Sequence, residues 1–83
     1  MDRYAIFSAL EQERERQIEL WAKAHDWGHG DCSSPSVPNP VKVAVLTEEV
    51  GEVARALLDL KPDQLRTELV QVAAVCVAWL EGL

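Results

Sequence analysis

The sequence is poor in the residues that cross-link a chain or fasten it to nucleic acid. Its two cysteines, Cys32 and Cys76, give no disulfide framework. Cys76 lies in an apolar run and reads as a small buried hydrophobe, whereas Cys32 falls in a polar segment. Eight Lys and Arg stand against fourteen Asp and Glu, for a net charge of −6, and the basic residues form no cluster. Phosphate backbones repel such a surface, which argues against a nucleic-acid partner. An acidic protein still takes a nucleotide when metal ions bridge the two sets of negative charge. No apolar run reaches membrane-spanning length, so no membrane partner is expected. Met1 to Leu20 is charged throughout, unlike a secretory leader, and a soluble, reducing, cytoplasmic setting is the expectation. The P-loop and Rossmann glycine patterns are missing, and neither Ser/His/Asp nor Cys/His catalysis has support in the residues.

Apolar residues, by contrast, make up 48% of an 83-residue chain. One domain of this size buries a modest share of its surface, so self-association is the natural way to hide the surplus. Periodicity predicts an all-α domain of three helices. Residues 1–24 form the first, with Ile6, Leu10, Ile18 and Trp21 at helical spacing and Arg14 and Gln17 breaking the stripe. Its EQERER centre reads as a solvated charged face. Residues 26–40, with Gly28, Gly30 and three prolines, form a loop too long for a passive connector. The second helix spans 41–60, with Asn39 as candidate N-cap. Its Val43, Leu46, Val50, Val53, Leu57 and Leu60 make a heptad-like stripe, and Gly51 offers a place for close helix approach. Pro62 ends that helix, Asp63 is placed to cap the next, and 63–82 forms the third, so the last two make an antiparallel hairpin. From Leu69 to Leu80 only Gln71 is polar. A helix apolar all round must be covered all round. The expected architecture is therefore helix, long loop and helical hairpin, completing a bundle as a homodimer or homotetramer, with Val72, Cys76 or Trp79 at the contacts.

Chemistry concentrates on the hairpin. Glu49 and Glu52 are three apart in T-E-E-V-G-E-V, Glu48 and Glu52 four apart, and Glu68 and Gln71 three apart on the third helix. Like charges at this spacing destabilise an isolated helix, so the cluster calls for a partner. The antiparallel turn brings Glu52 across from Glu68. Hard divalent cations favour such oxygen ligands. E-x-x-E by itself is more often a solvated helix face. Gln71 is as readily an inter-helix hydrogen-bonding amide as a ligand.

The residues VLTEEVGEVARALLD and LRTELVQVAAVCVAWLEGL resemble the MazG-like nucleotide pyrophosphohydrolases of the all-α NTP pyrophosphatase superfamily, whose motif is E-x-x-E, a spacer, then E-x-x-D. Glu49, Glu52 and Glu68 match it, and Gln71 stands where the family has Asp. The resemblance covers Val43 to Leu83. It implies Mg²⁺ or Mn²⁺ held by Glu49, Glu52, Glu68 and Gln71, with Glu48 and Glu49 as catalytic carboxylates. It further implies cleavage of a nucleoside triphosphate to monophosphate and pyrophosphate. A non-catalytic helical oligomerisation or regulatory module of the same fold is the alternative. In the loop, His25 and Trp27, with Trp21 just before it, are candidates for touching the base or ribose. His25, His29 and Cys32 have ligand chemistry for zinc but match no strong signature.

Overall fold

A computed structural model describes all residues, Met1 to Leu83. The chain is mostly helical: α1 (Arg3–Leu20), α2 (Asn39–Leu58) and α3 (Pro62–Glu81). Between α1 and α2 the loop carries a small antiparallel hairpin, β1 (Ala24–His25) and β2 (Gly28–His29), with His25 paired to Gly28. Helix α3 is central. It packs against both α2 and α1, which do not meet each other, so α3 floors a groove between them. No helix is long and apolar enough to cross a membrane.

Helix α1 starts where Asp2 accepts a hydrogen bond from the Ala5 amide at 2.8 Å. Its inward face reverses the expectation. Arg14 and Gln17 are its buried residues, while Ile6, Phe7, Ile18 and Trp21 lie outside. Arg14 can be buried because it is fully paired. It donates to Asp31 at 2.6 Å, to both oxygens of Glu81 at 3.0 and 2.8 Å, and to Gln17 at 3.0 Å. That network ties α1 to the loop and to the end of α3. The EQERER centre is therefore partly a packing surface.

Helix α2 begins at Asn39, one residue after the N-cap Pro38, and no side chain caps it. The Asn39 side chain instead accepts from the Trp79 indole at 3.0 Å, fastening α2 to α3. The inward stripe of α2 runs through Lys42, Val45, Leu46, Glu49, Val53 and Ala56. Val43, Val50 and Leu57, at seven-residue spacing, face outward. Gly51 is exposed, and nothing in the chain approaches it. The helix ends in a Schellman turn, with the Lys61 amide on Ala56 O and the Leu60 amide on Leu57 O at 2.9 and 3.3 Å. Leu60 takes the left-handed position with φ 55°. Helix α3 opens at Pro62 without a side-chain cap, and Asp63 lies in its first turn, where the helix dipole favours a negative charge.

Small side chains on α3, Ala74 and Ala78 with Val75, form the core with Cys32 from the loop. The cysteines exchange their expected places, since Cys32 is buried and Cys76 exposed. The loop from 26 to 40 is anchored at a few points. Val37 and Cys32 are buried, and Asp31 is held by Arg14. A Cβ on Gly82 would lie 2.6 Å from Ser33 O, so glycine is what lets the end of α3 approach the loop. Gly28 has φ 141°, and a Cβ there would meet Ser36 O at 2.6 Å.

Candidate metal centre and adjoining cleft

Glu49 on α2 and Glu68 on α3 are partly buried. Glu49 belongs to the inward stripe of α2, because its position is in register with Lys42, Leu46, Val53 and Ala56. Glu68 and Gln71 share the inward face of α3 with Val75 and Ala78. Glu13 comes from α1, its side chain 10% exposed. Glu49 and Glu68 each keep one carboxylate oxygen, Oε2, buried without a hydrogen-bond partner. Buried carboxylates are ordinarily satisfied, so two such orphans together mark a place for a proton or a cation. Burial pushes the Glu49 carboxyl above the usual carboxylate range, and the charges of Glu68, Glu48, Glu13 and Glu52 add to it in that order.

Glu48 is exposed and lines the cleft beside Glu49. Glu52 is exposed and is the least of the four charges acting on Glu49. Gln71 is half-buried, one turn beyond Glu68. No three His, Cys, Asp or Glu side chains stand together as a ready-made metal site. The loop trio of zinc-type ligands is likewise apart. Cys32 packs against Val75 and Ala78, His29 is exposed, and His25 is engaged at both ring nitrogens. Its Nε2 bonds Gly30 O at 2.8 Å, and its Nδ1 accepts from the Trp27 amide at 3.3 Å. This assigns the neutral tautomer protonated at Nε2 and leaves only the ring face free.

A cleft of about 230 Å³ opens beside Glu49. Val37, Val45 and Val75 form its apolar floor, and Trp21, His25 and Trp27 stand at its rim. Trp21 and His25 meet edge to face with centroids 5.7 Å apart, and Trp27 lies 6.4 Å beyond His25. Lys23 sits 5.5 Å from the Trp21 ring, over its face. The end of α1, with Trp21, and the hairpin, with His25 and Trp27, therefore bring the three aromatic candidates to the same cleft as Glu48 and Glu49. Arg14 holds this hairpin in place through Asp31. Burial pushes the Asp31 carboxyl up, but hydrogen bonds from Ser33 and Arg14 together hold it below the usual range. The Arg14 guanidinium likewise lowers Glu81, against a slight effect of burial.

Arg16 is shared between this cleft and a second one, of about 330 Å³, between α1 and α3, where Glu13 and Arg66 also lie. Glu13 and Arg14 lie in a run of charges that reads as a solvated face, and the structure covers both, while Arg16 stays exposed. The available signal was the helical spacing of Leu10, Glu13, Arg14 and Gln17, a polar stripe as regular as an apolar one. No family model matches the chain, and neither a curated protein nor a solved structure matches it.

Proposed function

We propose that the chain is a metal-dependent nucleoside-triphosphate pyrophosphohydrolase of the MazG-like kind, acting in the cytoplasm. One observation carries the reading: Glu49 and Glu68, on two different helices, each hold a buried carboxylate oxygen with no partner. The chemistry of that pair fits a hard divalent cation, Mg²⁺ or Mn²⁺, which takes oxygen ligands. Glu49 and Glu68 would hold it, with Glu52 and Gln71, each three residues from one of them, completing the set. Such an ion neutralises polyphosphate charge and polarises a phosphoryl oxygen. Gln71 brings an amide oxygen in place of the family's carboxylate, so it adds a ligand without adding charge.

The remaining work falls to the chain itself. Glu48, beside Glu49 in the cleft, orients the attacking water and takes its proton. The water oxygen bonds to the α-phosphorus, the bond to the pyrophosphate oxygen breaks, and pyrophosphate leaves with the electron pair. Trp21 and Trp27 offer ring faces for the base, and the His25 ring packs between them. The valine floor excludes water from one side of the site.

The test is pyrophosphate release from a panel of nucleoside triphosphates with Mg²⁺ or Mn²⁺. At least one nucleotide should be cleaved in a metal-dependent way. Glu68→Gln should lose more than the roughly 10–100-fold typical of groups that only support a metal ligand. Silence across the panel with both metals would contradict the reading and favour a non-catalytic oligomerisation or regulatory module. The outward apolar residues of α2 and α3 support the further proposal that a second copy of the chain covers them, giving a homodimer or homotetramer.

A further inference from the structure

We propose that the aromatic cleft takes a nucleobase by its ring faces and does not read its hydrogen-bonding edge, so that the site selects nucleotides by ring size, purines before pyrimidines, whatever groups the ring carries. The inference rests on the pyrophosphohydrolase reading above and names the substrate class of that site. A protein tells one base from another with donors and acceptors fixed against the base edge. In this cleft such groups are already engaged with the chain. His25 is bonded at both ring nitrogens, to Gly30 O and to the Trp27 amide. The Gly30 amide donates to Lys23 O at 3.0 Å. Asp31 accepts from the Ser33 amide and hydroxyl on Oδ1 and from Arg14 on Oδ2. Gln17 accepts from Arg14 and donates to Glu13. Arg16 is closed on Glu13 by two hydrogen bonds, at 2.7 and 2.8 Å. Glu48 and Glu49 serve water and metal in the reading above.

What the cleft presents instead is ring surface. Trp21, His25 and Trp27 follow one another along its rim, with neighbouring centroids 5.7 and 6.4 Å apart. Trp27 is 60% exposed, so its ring is open to a ligand. Two donors remain, the indole N–H groups of Trp21 and Trp27. Of the three indoles only that of Trp79 is bonded within the chain, to Asn39. Every base carries an acceptor for an N–H, so these donors orient a base without telling bases apart. The cleft, of about 230 Å³, is smaller than the roughly 300–1,000 Å³ that encloses a drug-sized ligand. It has room for one ring system, with sugar and phosphates outside. Stacking tolerates any base, because each has a π-face, and the apolar contribution grows with the area covered.

Equilibrium dialysis with Mn²⁺ tests this on wild type, Trp27→Ala and Trp27→Phe. The ligands are the non-cleavable α,β-methylene analogues of ATP, GTP, CTP and UTP, with inorganic triphosphate as the base-free control. The adenine and guanine analogues should bind within about tenfold of each other, and the cytosine and uracil analogues likewise. Both purines should bind more tightly than both pyrimidines, and all four more tightly than inorganic triphosphate. Trp27→Ala should weaken all four by about fivefold or more and leave inorganic triphosphate unchanged. Trp27→Phe, which keeps a ring, should retain most of the affinity and the same order of bases. A gap beyond about tenfold within either pair would mean that the edge is read, and the inference falls while the pyrophosphohydrolase reading stands. Inorganic triphosphate bound as tightly as the nucleotides would keep the metal site and remove the base from the cleft. Trp27→Phe binding as weakly as Trp27→Ala would show that no stacking occurs there. If no analogue binds, the inference is overturned, and if Mn²⁺ does not bind either, so is the reading it rests on.

Discussion

Glu49 carries a charge that the fold does not welcome. Its carboxyl is raised by burial and by neighbouring carboxylates, Glu68 foremost. Above the ordinary carboxylate range the unfolded chain is ionised, while the folded protein still resists ionisation. Stability therefore falls as pH rises from the unfolded value to the raised one, and the deficit persists at neutral pH. Glu49→Gln should raise the stability of the metal-free protein at pH 7, read as a higher melting temperature in EDTA. A melting temperature that falls would show Glu49 to be satisfied in the fold. Asp31 and Glu81 act in the opposite sense: their lowered carboxyls contribute stability above the ordinary range, and it is lost as pH falls through their folded values. At this scale the sequence displayed Glu49, Glu52 and Glu68 by spacing. It concealed Glu13, because a buried glutamate in a run of charges looks the same as a solvated one. The cysteines misled for a related reason: neighbours in sequence describe a residue's composition, while the helix face decides its burial.

Among the elements, all three helices were legible from periodicity and from Pro62. Their faces were legible in part: of the expected α2 stripe, Leu46 and Val53 pack inward, while Val43, Val50, Leu57 and Leu60 are exposed. The stripe Val43–Val50–Leu57 looks like the core side of α2, yet the side packed on α3 lies one residue round and contains Glu49. A helix apolar on two sides leaves that choice to its neighbours. The same ambiguity in α1 was resolved by Arg14, whose pairing with Asp31 and Glu81 draws a polar face inward. The α2–α3 turn carries its own strain. Leu60 sits in the left-handed region that glycine adopts freely, and the residue is 86% exposed. Leu60→Gly should stabilise the protein by about 1 kcal/mol, a rise of about 4–8 °C for a domain of this size. A drop on thermal melting would mean that Leu60 is packed in the assembled protein.

Taken whole, the molecule is short of core. Nine of 83 residues are buried, and no large side chain is fully so. The radius of gyration is 13.1 Å, against about 12 Å expected of a compact chain of this length. Val43, Val50 and Leu57 on α2, with Leu69 and Leu80 on α3, are all about half exposed or more. If a second copy covers them, the melting temperature should rise with protein concentration, and light scattering should find no folded monomer at micromolar concentration. A folded monomer whose melting is independent of concentration would remove the oligomer from the account. The site makes the sharper claim, that Glu49 and Glu68 each keep one carboxylate oxygen buried and without a donor in order to take a divalent ion. Thermal melting of wild type and Glu49→Gln in EDTA and in Mn²⁺ tests it most directly. The account predicts that Mn²⁺ at about 100 times its dissociation constant stabilises wild type by about 2.7 kcal/mol and leaves Glu49→Gln unmoved. A wild type that Mn²⁺ does not stabilise, or an equal shift in both proteins, would contradict it.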